Sequence, residues 1–259
     1  MTRSTCASSG VRRRQCLDAP EGGATSPRGS GRSRRLGLIA VLISFASAAS
    51  GCGCPSCPNA PTGMFSSDEA IRHATCLAQC WQCDAVLDAV FSGRRESIGG
   101  DMAPAGAPTV QEDGRTGQWI VTFASPTALC GPQSFETKTF TVQSNGTLAS
   151  GSSCFPVADG CQPSLRSAPP DSTSVVPAGR AKITAMAGFD PASAIVLAGN
   201  FHQCGVVQDQ WVNRQQWRVW STWNQADAIH QGIVDFDAKG RIIDTRGPCV
   251  FGDLACLNR

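Results

Sequence analysis

Cysteine is the residue type with the most chemistry to offer in this chain, which holds fourteen. Cys52, Cys54 and Cys57 form a CxCxxC cluster. Thiolates in such a cluster suit a soft metal, while the neighbouring prolines suit a small disulfide knot or a stiff spacer at least as well. Cys76, Cys80 and Cys83 follow as CxxxCxxC, a spacing that can present three thiolates to an iron–sulfur cluster. Cys154 with Cys161, and Cys249 with Cys256, are two pairs of equal spacing. They read as disulfides closing short loops, each worth roughly 2.5 kcal/mol in the chain-entropy picture. His73, His202 and His230 stand alone, without the local pattern of a zinc protease or a catalytic triad, and read as structural or exposed. Asp235 and Asp237 share one strand face opposite Val234 and Phe236. Calcium is the chemistry open to them, but a solvated outer face explains them more simply.

These cysteines must be placed in a compartment before they can be paired. Arg34 and Arg35 precede an apolar run from Leu36 to Ala49 that ends on small residues, the shape of a secretory signal. The run is too short to span a bilayer, which takes about 20 apolar residues. Ala49-Ser50-Gly51-Cys52 resembles the lipobox of bacterial lipoproteins. The resemblance implies cleavage before Cys52, lipidation of its thiol, and an anchor in the cell envelope. Ordinary signal cleavage near Ala49 is the alternative. Ser33-Arg34-Arg35-Leu36 also resembles the start of a twin-arginine signal, though Gly37 departs from that pattern. Gly53 supplies no inner-membrane retention acid, so the outer membrane is the expected destination.

Composition sets further bounds. The net charge of +2 includes a concentration of arginines ahead of Leu36, so removing residues 1–51 leaves an acidic chain. The basic patch that nucleic acid requires is then missing. In an exported, oxidising setting the cysteines belong in disulfides. With the leader cysteines and a lipidated Cys52 set aside, eleven remain, and an odd number leaves one thiol free or shared between molecules.

The expected organisation is a leader and signal (1–51), a Pro-rich tether (52–65), a first unit (66–162), a Pro/Ser-rich linker (163–180) and a second unit (181–259). Ser66 with Glu69 has capping-box spacing, predicting a helix that runs to about Val90. Gln118 to Phe123 and Phe135 to Val142 read as paired strands, and Asn145-Gly146 as the turn into a third. Asp190-Pro191 reads as the start of a second helix, covering Ala192 to Cys204. Strands at Trp217 to Trp220 and Gly232 to Phe236 follow, then a turn at Lys239-Gly240. Alternation points Trp217 and Val219 one way and Trp220 the other. Trp211, Trp217, Trp220 and Trp223 form a dense aromatic set from which any exposed member is a binding anchor.

The halves also match each other. Gln118-Trp119-Ile120-Val121 aligns with Gln216-Trp217-Arg218-Val219, the two turns align, and so do the two late cysteine pairs. The expected fold class is therefore α+β: two tandem αβββ units, each a helix on a small antiparallel sheet, stapled by disulfides. The pattern around Val234-Asp235-Phe236-Asp237 with Lys239-Gly240 resembles PepSY-type envelope domains and, more loosely, cystatin-like folds. That resemblance implies a binding or peptidase-modulating module without catalytic residues. The CxxxCxxC spacing resembles that of radical-SAM enzymes, but those need a large α/β barrel, and this chain continues as hairpins. The expectation is a membrane-anchored, non-enzymatic binding module without a cofactor, whose partner is a protein or peptide. A redox or metal-handling role for Cys76, Cys80 and Cys83 is the alternative.

Overall fold

A computed structural model describes residues 56–93, 109–131, 134–156, 161, 168–207 and 210–253. Helix α1 spans Ser67–Trp81, and its start follows from the sequence. The Ser66 hydroxyl accepts from the Glu69 amide at 3.4 Å, and the Glu69 carboxylate accepts from the Ser66 amide at 2.8 Å. Both orphan donors are satisfied by the reciprocal pair that the capping box provides. The helix buries Ala70, Ala74 and Ala78 along one line. Their small side chains let it lie close to the sheet.

Helix α1 ends at Trp81, and Val86–Phe91 is strand β1 rather than a continuation of the helix. Strands β2 (Gln118–Gly131), β3 (Ser134–Gln143) and β4 (Gly146–Ala149) follow as an antiparallel meander, and β5 (Ser153–Pro156) pairs with the start of β3. Helix α2 (Ser172–Thr184) occupies the second half of the stretch expected to be a linker. The segment expected to form a second helix at Ala192 to Cys204 is instead strand β6 (Ile195–Val207). Strands β7 (Gln210–Gln225), β8 (Ala228–Phe236) and β9 (Ile242–Val250) complete the chain.

The strands form one nine-stranded antiparallel sheet in the order β4-β3-β2-β1-β6-β7-β8-β9, with β5 beside β3. The expected pair of tandem αβββ units is therefore corrected: a single sheet runs through both ranges. Its continuity comes from β1 and β6, which pair antiparallel through Ala89 with Phe201, Val90 with Asn200 and Phe91 with Gly199. Two open strand edges that would otherwise face water satisfy each other. The order is palindromic. On either side of the central pair, a helix is followed by four strands laid down in sequence order.

Both helices cover one face of this sheet, where Val90, Trp119, Val121, Phe123, Val196, Trp217, Val219 and Phe236 belong to the main core. A Cβ on Gly179 would lie 2.7 Å from that of Val219, so α2 rests on β7 with only a hydrogen between them. Leu197, Trp220 and Ile233 form a smaller buried cluster, on the opposite face as the alternation with Trp217 and Val219 requires.

The helix N-termini meet at the middle of the sheet. The Ser67 amide donates to the Ser172 hydroxyl and the Ser172 amide to the Ser67 hydroxyl, each at 2.9 Å. Beneath them Trp119 and Trp217 pack edge to face with centroids 6.4 Å apart. Each indole N–H donates to the carbonyl just ahead of its own helix cap, Trp119 to Phe65 at 3.0 Å and Trp217 to Pro170 at 2.9 Å.

Asp171 joins the two ends. One carboxylate oxygen accepts from the Ser172 amide (2.9 Å), the Asp68 amide (2.9 Å) and the Ser67 hydroxyl (3.0 Å), and the other from the Thr173 hydroxyl (2.7 Å). Burial pushes its pKa up, but the bonds from Thr173, Asp68 and Ser67 outweigh that and hold it below the ordinary carboxylate value. Two helix dipoles converge on one negative charge.

Candidate binding surface

Two extensions leave the sheet at the same end. Strands β2 and β6 both run antiparallel to β1, so their C-terminal portions overshoot the start of β1 together. The first arm combines the end of β2, the start of β3 and β5. The second is the long β6–β7 hairpin, paired from Ile195 with Thr222 to Val207 with Gln210. Between the arms lies the connector from α1 to β1. Its Asp84 accepts from the Ser125 hydroxyl (2.8 Å), the Thr127 amide (3.0 Å) and the Thr127 hydroxyl (2.5 Å). Burial acts to raise the Asp84 pKa, and the Thr127 and Ser125 bonds overcome it and lower it. The base of the first arm is thereby tied to the connector.

Disulfides fix both arms. Cys130 near the end of β2 bonds Cys154 on β5, with Cα atoms 5.9 Å apart. Cys161 bonds Cys204 on β6, with Cα atoms 5.7 Å apart. Only four residues separate Pro156 at the end of β5 from Cys161, so the first arm is covalently strapped to the second. The expected Cys154–Cys161 bond is thus corrected. Cys154 lies in a strand whose extended chain carries Cys161 away from it, and each finds a partner on a neighbouring strand instead. Cys249 is disulfide-bonded, while Cys256 lies outside the described residues, as does Cys52.

The arms present large side chains to solvent. Leu129 is 65% exposed, Phe155 40% and Trp211 54%. By contrast Trp217, Trp220 and Trp223 are all buried, so the aromatic set resolves into three core residues and one surface anchor. Trp211 was visible in the sequence. Leu129 and Phe155 were not, and the signal for them was their adjacency to Cys130 and Cys154.

The other chemically suggestive residues have structural partners. Cys76 is bonded to Cys57, and Cys80 and Cys83 are also in disulfides. Their thiolates are therefore not available together as a metal triad. Among the described residues there is no group of three or more His, Cys, Asp or Glu side chains placed to hold a metal. All nine described cysteines are disulfide-bonded. His73 is buried, donating from Nδ1 to the Pro58 carbonyl and accepting at Nε2 from Thr147, both at 2.9 Å. His202 lies 2.6 Å from the Asn213 side chain, and His230 stacks on Trp223.

Asp235 departs from the expected solvated face. It is 4% exposed and paired with Arg218 at 2.7 Å and with Arg246. Asp237 instead holds the β8–β9 turn, accepting from the amides of Lys239 and Arg241 and from the Arg241 side chain. The Arg241 amide is the main cause of its lowered pKa, and it more than offsets the smaller opposing effect of burial.

A concavity of about 710 Å³ lies at the opposite end of the sheet, lined by Met64, Val110, Glu112, Asp113, Arg180, Phe189 and Pro191 among others. Arg180, the one cation among the described residues that line it, is engaged by the Val110 carbonyl at 2.9 Å and by Glu112 at 3.8 Å. Among the described residues no helix is long and apolar enough to cross a membrane. No protein-family model matches this chain, and neither a curated protein nor a solved structure was found that is similar to it.

Proposed function

We propose that this chain is an exported lipoprotein, anchored through Cys52, that works as a non-enzymatic binding module in the cell envelope. The two stapled arms grip a protein or peptide partner. The observation that carries the reading is the exposure of Leu129 and Phe155 on disulfide-bonded strands, and of Trp211 on the strand paired with disulfide-bonded β6. Large side chains held rigid lose little conformational entropy on binding, which is what makes an anchor effective. The engagement of Cys76, Cys80 and Cys83 in disulfides favours this reading over redox or metal handling.

The test is site-specific photo-crosslinking in the native host from position 129, 155 or 211, with position 145 at the opposite end of the sheet as control. The arm positions are expected to trap one common protein, absent at 145. For the purified pair, Trp211→Ala should weaken binding by about 2 kcal/mol, or about 30-fold. Equal crosslinking from 145, or an unchanged affinity, rejects the arms as the binding surface.

A further inference from the structure

We infer that the concavity beside α2 is a second binding site, for a free α-amino acid with a large apolar side chain. It depends on neither the lipid anchor nor the arms, which lie at the other end of the sheet. Three separate pieces of chain build its wall: residues 109–113 ahead of β2, Arg180 on α2, and Phe189, Pro191 and Ala194 on the connection to β6. Each piece is fixed to the fold. The Val110 amide donates to the Val196 carbonyl at 2.9 Å, and the Val110 carbonyl accepts from Arg180 Nη1 at 2.9 Å. Phe189 packs edge to face on buried Trp223, with ring centroids 5.3 Å apart. The Ser193 hydroxyl donates to Asp190 at 2.6 Å and accepts from the Asn224 amide at 2.9 Å, which ties the connection to β7. A volume of about 710 Å³ falls in the range of small-molecule sites. A wall fixed before binding spares the entropy of ordering it.

The charges choose the ligand. The Arg180 side chain is only 19% exposed, yet its Nη2 has no acceptor within hydrogen-bond distance among the described residues. The carboxylate beside it, on Glu112, is 3.8 Å away and belongs to a side chain that is 92% exposed. A mostly buried guanidinium with donors to spare suits a carboxylate placed in the cavity. A simple anion would also meet the negative charges of Glu112 and Asp113, and a simple cation would meet Arg180. A molecule carrying both charges satisfies both sides. Asp113 already accepts from the Arg115 amide at 3.0 Å, so Glu112 is the acid left for an ammonium group. Because Arg180 and Glu112 are only 3.8 Å apart, the two charges of the ligand must be neighbours as well. The ammonium and carboxylate of an α-amino acid share one carbon and meet that condition. The side chain of the amino acid then has Phe189, Pro191, Met64 and Val110 to pack against.

Isothermal titration calorimetry on the purified full-length protein, with L-phenylalanine as the probe, tests this. One molecule should bind per chain. N-acetylphenylalanine lacks the cation and phenylalaninamide lacks the anion, and each should bind at least about 10-fold more weakly. β-Homophenylalanine keeps the ring but separates the charges by one more carbon, and it should bind more weakly too. Arg180→Gln should weaken phenylalanine binding by about 10-fold or more. Glu112→Gln changes an exposed side chain, so the fold stands, and it should weaken binding by about 3-fold. The absence of heat from phenylalanine, leucine and methionine up to about 10 mM overturns the site. So does binding that is equal for free and capped phenylalanine, or that is unchanged in Glu112→Gln. Equal binding of β-homophenylalanine overturns the assignment to an α-amino acid.

Discussion

Asp171 offers the sharpest test of how this sheet is capped, because one carboxylate serves two helices. In Asp171→Ala the N-cap of α2 disappears, a loss of about 1 kcal/mol on typical values. The Asp68 amide at the start of α1 loses its acceptor as well, at about 1 kcal/mol. The negative charge at two converging helix N-termini contributes about 0.5 kcal/mol for each. Together these give about 3 kcal/mol, and a melting temperature lowered by roughly 6–12 °C for a domain of this size. The assay is urea unfolding with disulfides intact, followed by tryptophan fluorescence, since Trp119 and Trp217 sit directly beneath the junction. Asp171→Asn keeps acceptor atoms but removes the charge, and should cost about half as much. The pH dependence follows from the lowered pKa. A depressed carboxylate pKa means that the stabilisation is fully present above the unfolded value near 3.9. It is lost as pH falls through the folded value. The stability gap between wild type and Asp171→Asn should therefore be constant from pH 7 to about 5 and close below pH 4. A cost under 1 kcal/mol for Asp171→Ala, or a gap that does not change with acid, would refute the shared cap.

Two further outcomes follow from packing and charge. Gly179→Ala places a methyl group 2.7 Å from the Val219 side chain, and should cost about 1–3 kcal/mol. Pairing it with Val219→Ala should recover part of that loss in a double-mutant cycle of denaturation midpoints. Asp235→Asn leaves Arg218 and Arg246 facing each other with their shared counter-charge gone. The expected loss is about 3 kcal/mol, read from thermal unfolding, and a stability within 0.5 kcal/mol of wild type rejects the ion-pair assignment.

What the sequence revealed, and what it concealed, both have physical reasons. The start of α1, the β3–β4 turn and the alternation of Trp217, Val219 and Trp220 were legible because each is a local pattern. Strands β1 and β6 were not. Central strands are buried on both faces, so Val86 to Phe91 and Ile195 to Phe201 carry apolar residues without alternation and pass for buried helix. Once they are read as helices, no edge remains through which the halves can join, and two small sheets become the natural conclusion. Helix α2 was hidden by Pro177 and by its Ser, Thr and Val residues, which are weak helix formers. Its stability comes from packing Val175, Val176 and Ile183 into the core. The disulfides were misassigned for a related reason. Spacing along the chain favours short rings, whereas Cys130–Cys154 and Cys161–Cys204 connect strands placed together by the sheet. The exposed arm residues followed only from that topology.

The strap between the arms also changes what a protease can accomplish. A cut anywhere between Cys161 and Cys204 severs the backbone, yet the two pieces remain one molecule through the sulfur bridge and the sheet they share. A cut between Cys130 and Cys154 is bridged in the same way. The β2–β3 turn, at the end of the molecule proposed to grip a partner, is thus enclosed in a covalent ring. In the envelope setting proposed for it, such a molecule could be nicked within these rings without being taken apart.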